Sequence, residues 1–205
     1  MTSTIRLYRH PISGHCHRVE LMLSLLGLPY EAVEVDLMAA EHKAAPFLAL
    51  NPLGQVPVLS DGELTLADSN AILVYLASRY APGAWLPLDP VGAAGVQRWL
   101  SLAAGLLHFG PCAARVIRLF QLSKDPGEAQ AHAQTLLRFM EGELKASAFL
   151  VGERATLADI AHYAYVVRAP EGGISLEPYP AVRAWLARVE ALPGFVPMLE
   201  TVVPA

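Results

Sequence analysis

The stretch Asn51-Pro52-Leu53-Gly54-Gln55-Val56-Pro57-Val58-Leu59 decides how this sequence folds. Its first four residues place proline second and glycine fourth, the order that a type I turn prefers. Pro57 then leads into an apolar run, and because proline cannot donate to a sheet, it is expected at a strand start or edge. A cis bond at Pro57 is accessible and would turn the Val56 backbone outward, where it could pair with a peptide-like ligand. A plain loop entering a strand explains the same residues.

The segments on either side alternate between strand and helix patterns. Strands are predicted over 5–8, 30–35, 56–59 and 64–66, and helices over 15–26, 39–50 and 68–80. Pro46 makes the second of these helices irregular. The predicted order is therefore βαβ, helix, ββ, helix.

A connector rich in proline and glycine follows, and beyond it only helical periodicity remains. Helices are predicted over 91–120, with a bend at Gly110-Pro111, and over 127–149, 157–168 and 179–191, before a short tail over 195–201. Thr156 and Asp159 form a capping box at the third of them, which predicts stability rather than catalysis. The predicted fold class is α/β plus all-α, with a first domain over 1–80, a linker over 81–89 and a helical domain over 90–205.

The composition argues against several classes of protein. With 205 residues, 54% hydrophobic and 17% charged, the chain can bury a core and is not expected to be disordered. A net charge of -4 without a basic cluster gives no reason to expect nucleic acid binding. The apolar stretch 99–114 is shorter than the ~20 residues of a membrane span, so no membrane association is expected. Two distant cysteines and no secretory signal favour a cytoplasmic protein.

Two further segments carry candidate binding groups. Asp68 and Ser69 are good N-cap residues before an apolar helix, and a helix N-terminus is also an anion site. Simple capping is the alternative, and the two roles can coexist. Ser13 lies between the first strand and the first helix, where its hydroxyl and the helix dipole can stabilise an anion.

In this order and spacing, the three segments and the helical second half resemble the glutathione S-transferase family, over essentially the whole chain. The resemblance implies a thioredoxin-like first domain that binds glutathione, with Pro57 cis, and a helical domain that receives a small hydrophobic electrophile. It implies that Val56 binds the cysteinyl backbone and that Asp68 and Ser69 hold the γ-glutamyl end, although the family usually has Glu or Gln before the serine. It also implies a homodimer. Residues placed near the glycyl end are His42, Lys43 and Gln55.

Such a protein must ionise a thiol whose free pKa is ~8.5. Lowering that pKa by ~2 units requires about 2.7 kcal/mol. One hydrogen bond to an anion supplies ~1.5–3 kcal/mol and a helix N-terminus ~0.3–1 kcal/mol, so a serine hydroxyl with backbone dipoles is sufficient. Ser13 stands five residues after Tyr8, as the activating serine does in theta- and delta-like transferases, and is predicted to hydrogen-bond the sulfur.

Two other residues are candidates for the same chemistry. His108 stands nine residues after Trp99 and matches a histidine that lines the active site of bacterial beta-class transferases, a core histidine being the alternative. The beta-class cysteine is replaced by Gly14, which excludes a mixed disulfide at that position. Cys16, near a helix N-terminus and between two histidines, is placed where a thiol pKa can fall, and a buried inert thiol is the alternative.

Other functions on the same scaffold stay open at this point. A reactive Cys16 would favour glutathione-dependent isomerisation, dehalogenation or disulfide reduction, and a non-catalytic binding or regulatory relative is a further alternative. No metal is expected, because the neighbouring side chains His10, His15, Cys16 and His17 do not share one helix face. Three residues are candidates to line a hydrophobic substrate site, although helix packing explains them equally well: Arg115, Tyr163 and Tyr165.

Overall fold

The amino-terminal part of the chain folds around a four-stranded mixed sheet. The computed structural model describes residues 4–204. Strand β1 (Ile5–Arg9) pairs in parallel with β2 (Tyr30–Glu34) and antiparallel with β3 (Val58–Asp61), which pairs antiparallel with β4 (Leu64–Ala67). The strand order is β2-β1-β3-β4. These strands match the predicted ones, except that β3 begins after Pro57, which cannot donate to the ladder.

Three helices accompany this sheet. They are α1 (Gly14–Leu25), α2 (Ala45–Leu50) and α3 (Ser69–Tyr80). The predicted helix over 39–50 is instead a 3₁₀ turn, Glu41–Lys43, followed by the short α2. Ala40, with φ +57°, interrupts the helical geometry, and Pro46 is tolerated because it lies in the first turn of α2.

The second part of the chain is helical, as predicted. Helix α4 (Pro90–Leu102) continues through a wider π-helical segment, Ala103–Cys112, into α5 (Ala113–Leu119). Helices α6 (Gly127–Leu144), α7 (Leu157–Val167) and α8 (Pro180–Glu190) follow, with a 3₁₀ turn over Ala169–Gly172. The tail over 195–201 contains neither helix nor strand.

The π-helical segment occupies the place of the predicted bend. It contains Pro111, which has no N–H and so removes one hydrogen bond from the helical ladder. A Cβ on Gly110 would lie 2.7 Å from the backbone nitrogen of Ala133. The missing side chain therefore lets this segment pack closely against α6.

One helical run, over 90–119, is long and apolar enough to cross a membrane by length and composition alone. Half of its most apolar stretch is buried inside the fold. Val96, Trp99 and Leu100 lie in the core shared by both parts of the chain. The run therefore has the burial of a core helix, and its apolar character is explained by packing.

The predicted capping box is present at the start of α7. The Thr156 side chain accepts from the backbone of the first turn, and the Thr156 N–H donates to Asp159 Oδ2 at 2.8 Å. Asp159 is completely buried and also accepts from the Leu150 N–H at 2.9 Å and from Trp185 Nε1 at 2.8 Å. It therefore joins α7 to α8 and to the preceding loop.

Candidate active site

A cleft of about 610 Å³ lies beside the N-termini of α1 and α3 and is closed on one side by the π-helical segment. The described structure brings all the predicted site residues except Cys16 to its walls. They are Ser13, His42, Lys43, Gln55, Val56, Pro57, Asp68, Ser69 and His108. Residues as far apart in sequence as Ser13 and His108 thus meet around one space.

The loop over 51–57 forms one wall and is held by its own hydrogen bonds. The Gly54 N–H donates to the Asn51 carbonyl at 2.8 Å, which closes the predicted turn. Asn51 Nδ2 donates to the Gln55 carbonyl at 2.8 Å. Gly54 has φ +57°, and a Cβ there would lie 2.7 Å from the His42 carbonyl. Only glycine fits this position without displacing its neighbour.

The loop presents the backbone of Val56 to the cleft. The Val56–Pro57 peptide bond is cis. Within residues 4–204 the Val56 N–H and C=O make no hydrogen bond, while the strand β3 begins two residues later. This donor and acceptor pair is available to an extended peptide-like ligand.

The start of α3 forms the opposite wall. Asp68 caps the helix, and its Oδ1 accepts from the N–H groups of Asn70 at 2.9 Å and Ala71 at 3.0 Å. Asp68 has φ +71°, a strained conformation for a residue other than glycine, of the kind that concentrates at functional sites. Ser69 is buried, and its Oγ accepts from Arg18 at 3.2 Å. Capping and ligand binding are both geometrically possible here.

Ser13 is the N-cap of α1. Its Oγ accepts from the Cys16 N–H at 3.3 Å. Since a hydroxyl is both acceptor and donor, this contact leaves the Ser13 proton free to donate into the cleft. The helix dipole adds a partial positive charge at the same place.

Cys16 lies beneath the cleft rather than in it. Its side chain is completely buried, and its sulfur accepts from the His10 N–H at 3.4 Å. Burial raises the pKa of the Cys16 thiol to about 11. The thiol is therefore protonated at neutral pH, because the effect of its apolar surroundings outweighs that of the helix N-terminus. This geometry supports the interpretation of Cys16 as a buried inert thiol.

His108 reaches the cleft and meets a second histidine there. His108 Nδ1 lies 3.3 Å from His15 Nε2. Burial, with a smaller contribution from the positive charge of Arg18, lowers the pKa of His108, and burial holds the pKa of His15 well below its usual value. Both imidazoles are therefore neutral at neutral pH and act as hydrogen-bond partners rather than as positive charges.

Arg18 and His15 are cleft residues that the sequence reasoning missed. Arg18 is buried, and its Nη1 donates to Ser69 Oγ and, at 2.8 Å, to Asn70 Oδ1. Its Nε and Nη2 have no hydrogen-bond partner in the described part of the chain. Arg18 thus places a fixed positive charge under the cleft. The available signal was its spacing of three from His15, which puts both on one face of α1.

The three candidates for the hydrophobic site do not line the cleft. Arg115, Tyr163 and Tyr165 are all buried in the core region. Arg115 pairs with Glu171 at 2.6 Å and donates to the Ile12 carbonyl at 2.7 Å. Arg115 therefore anchors the loop that carries Ser13, and helix packing accounts for the two tyrosines.

A larger cavity of about 860 Å³ lies in the groove between α3 and α4. It shares Asp68, Asn70 and Ala104 with the cleft but contains neither Ser13 nor the Val56–Pro57 loop. Size alone would favour this groove as the binding site. We assign the chemistry to the smaller cleft, because only there do a hydroxyl, free backbone groups and a helix N-terminus converge.

Comparison with protein families gives two matches. The family model described as glutathione S-transferase, N-terminal domain, matches residues 3–78, and that described as glutathione S-transferase, C-terminal domain, matches residues 109–193. Glutathione S-transferase 3 of Zea mays is 35% identical, over 93% of this chain and 91% of the relative. The similarity therefore extends through both parts of the fold.

Solved structures agree with this comparison. A glutathione S-transferase from Pseudomonas fluorescens superposes with a TM-score of 0.91 and 36% identity, covering 97% of this chain and 100% of that one. A glutathione transferase homologue from Drosophila mojavensis, solved with bound glutathione, has a TM-score of 0.83 and 29% identity, covering 93% and 89%.

Proposed function

The chain belongs to the glutathione S-transferase family, and from this premise we propose how its cleft binds and activates glutathione. The family uses glutathione as co-substrate, and the activity of the chain is glutathione transfer. The proposal concerns which residues bind glutathione and activate its thiol. It rests on one observation, that Ser13, the Val56–Pro57 loop and Asp68-Ser69 all line one cleft.

Ser13 is the proposed activating residue. Its oxygen already accepts from Cys16, so its proton can be donated to the glutathione sulfur. The thiol proton leaves to solvent, and the thiolate is stabilised by the Ser13 hydroxyl, the N-terminus of α1 and the nearby charge of Arg18. The thiolate then attacks an electrophilic carbon, forms the C–S bond, and displaces a leaving group or adds to a double bond.

The tripeptide is proposed to lie across the cleft in an extended conformation. The free backbone pair of Val56 binds the cysteinyl residue as a short added strand. The γ-glutamyl end lies at the start of α3, where Asp68 can accept from its ammonium and Ser69 and the helix N-terminus can bind its carboxylate. Lys43 donates to the Leu53 and Gly54 carbonyls, which places its charge beside the proposed glycyl end together with His42 and Gln55.

The electrophile is proposed to enter along the π-helical segment. Ala103, Ala104 and His108 line that side of the cleft, and Phe109 beside them is exposed. This lining suits a small, mostly apolar molecule, with His108 as a neutral hydrogen-bond partner for the sulfur or the substrate. Thiol activation itself is proposed to need no metal.

The chain is proposed to act as a homodimer in the cytoplasm. The groove between α3 and α4 supports this, because it is lined by apolar side chains such as Val74, Tyr75 and Leu100. Sedimentation of the purified chain tests the oligomeric state.

A glutathione titration at neutral pH tests the proposal, with the ultraviolet absorbance of the thiolate and the heat of binding followed together. Binding with a thiolate signal is expected. Binding without that signal would indicate a reductase-like or non-catalytic role. If glutathione does not bind, the cleft has the geometry of the family without its ligand binding, and the proposed roles of these residues are wrong.

A further inference from the structure

Three metal-binding side chains from distant parts of the chain meet at one wall of the cleft. They are His15 of α1 and His108 and Cys112 of the π-helical segment. His15 Nε2 lies 3.3 Å from His108 Nδ1 and 3.9 Å from Cys112 Sγ, and the three donor atoms all lie within 4.8 Å of one another. We propose that these residues form a binding site for one thiophilic metal ion of the Zn²⁺ class.

The donor spacing fits tetrahedral coordination. With metal–nitrogen distances of ~2.0–2.1 Å and a metal–sulfur distance of ~2.3 Å, ideal geometry separates two nitrogens by about 3.3 Å and a nitrogen from a sulfur by about 3.6 Å. The pairs that involve His15 are within a few tenths of an ångström of these values. His108 is exposed, so its ring is free to turn toward Cys112.

Coordination also sets the tautomers of the two histidines. A neutral imidazole binds a metal through the ring nitrogen that carries no proton, so binding through His15 Nε2 and His108 Nδ1 requires each ring to hold its proton on the other nitrogen. His15 Nδ1 lies 3.5 Å from Ser69 Oγ, and when the Nδ1–H donates to this oxygen, Nε2 is free to coordinate. Cys112 is protonated in the absence of metal, and coordination would deprotonate it and release one proton to the buffer.

Groups around the three ligands support the arrangement from outside. The Tyr165 ring contacts the His15 ring edge-on, with centroids 4.9 Å apart, and so helps to fix the orientation of this ligand. Arg18 acts in the opposite direction, because its charge opposes a cation. The expected affinity is therefore micromolar, weaker than that of a closed structural zinc site.

The three protein ligands leave a fourth coordination position, and His15 and His108 themselves line the cleft. Three protein ligands with one open position are typical of sites that exchange a ligand. A bound metal would therefore occupy part of the space proposed for the electrophile. This consequence rests on the proposed function, but metal binding itself does not.

The experiment adds Co²⁺, and separately Zn²⁺, to the purified chain in the absence of glutathione. One Co²⁺ per chain is expected, with the ligand-field bands of a tetrahedral ion and a thiolate-to-cobalt charge-transfer band. Zn²⁺ should displace the cobalt and remove both signals. Release of one proton per metal, measured in a weakly buffered solution, is expected alongside.

Two variants identify the ligands. Cys112→Ser should abolish the charge-transfer band and weaken binding by at least about tenfold, and His108→Ala, at an exposed position, should weaken it similarly while leaving the fold intact. Cys16→Ala removes the other cysteine, and His132→Gln a histidine on α6. Both should keep the wild-type spectrum.

The proposal is overturned if Co²⁺ gives no charge-transfer band, or if Cys112→Ser binds as tightly as the wild type. In that case the three residues are a hydrogen-bonded cluster only. Glutathione binding by a chain that takes no metal would overturn this site and leave the proposed function standing. A chain that binds metal but not glutathione would support this metal site and overturn the proposed function.

Discussion

A Cβ atom on residue 14 would lie 2.7 Å from Cζ of Tyr165. The Tyr165 ring is completely packed in the core and covers the first turn of α1 beside Ser13. Position 14 is where beta-class transferases carry their cysteine, and here the space for any side chain is already filled. The absence of a side chain at this position is therefore a packing requirement of this chain.

Gly14→Ala is expected to destabilise the fold by about 1–3 kcal/mol, because the added methyl overpacks a filled site. The free energy of unfolding in urea measures this. Gly142→Ala is the matched control, since a Cβ there on α6 meets nothing within 4 Å, and it should stabilise by about 0.5–1 kcal/mol. Equal stability of Gly14→Ala and the wild type would show that Tyr165 can move aside.

Ser13→Ala is expected to raise the pKa of bound glutathione by about 1–2 units, since one hydrogen bond to an anion contributes ~1.5–3 kcal/mol. Ultraviolet titration of the thiolate measures the shift, and glutathione affinity should change less than the pKa. Ser13→Thr keeps the hydroxyl and the cap, and serves as the control. An unchanged thiol pKa in Ser13→Ala would transfer the role to His108, Arg18 or the backbone N–H groups.

Asp159→Ala is expected to destabilise the fold by about 3–5 kcal/mol. It would leave the Leu150 N–H, the Thr156 N–H and hydroxyl, and Trp185 Nε1 without their acceptor in the core. Thermal and urea unfolding measure the loss. Thr156→Ser keeps the capping hydroxyl and should cost well under 1 kcal/mol. If Asp159→Ala lowers the free energy of unfolding by only ~1 kcal/mol, this residue contributes no more than an ordinary helix cap.

Acid is expected to destabilise the protein through three histidines, His15, His17 and His162, whose pKa values are lowered by burial. Burial lowers the pKa of His17 to about 4 and that of His162 to about 3. Below the unfolded value of 6.5 the unfolded chain binds more protons than the folded one, so stability falls as the pH drops from about 6.5 toward 3–4. Each histidine contributes a slope of up to about 1.4 kcal/mol per pH unit.

His17→Gln tests that slope, because glutamine can keep the hydrogen bond to the Val196 carbonyl while removing the titration. The slope of unfolding free energy between pH 4.5 and 6 should fall by up to about 1.4 kcal/mol per pH unit, and Gly142→Ala, which changes no titratable group, should leave it unchanged. The histidine explanation fails if the slope of His17→Gln equals that of the wild type.

Much of the fold was predictable because its signals are local. The turn over 51–54 and the caps at Asp68 and Thr156 follow from residue type and spacing within a few positions. An irregularity was expected as a bend at Gly110-Pro111, but its form, a π-helical segment over Ala103–Cys112, was not predicted. The prediction of one helix over 39–50 was wrong, because the positive φ of Ala40 interrupts the helix. An alanine residue gives no sequence signal for that backbone conformation.

Only part of the candidate site could be predicted from the sequence. Ser13, the Val56–Pro57 loop and Asp68-Ser69 were predicted as site residues because each carries its own motif, and the structure places all of them at the cleft. His15 and Arg18 were missed, because a histidine or arginine on a helix gives no sign of which face packs toward a cavity. The burial of Cys16 was one of two open interpretations, and only the surrounding core distinguishes them.

Residue order alone was enough to define the turns, the caps, the alternation of strand and helix, and the hydroxyl at the start of α1, because these depend on short-range sterics and hydrogen bonding. The meeting of His15 with His108 and Cys112, 93 and 97 residues away, came from the packing of α1 against the helical half. So did the pKa values of the buried thiol and imidazoles, which depend on how much water and charge the packed core leaves around each group.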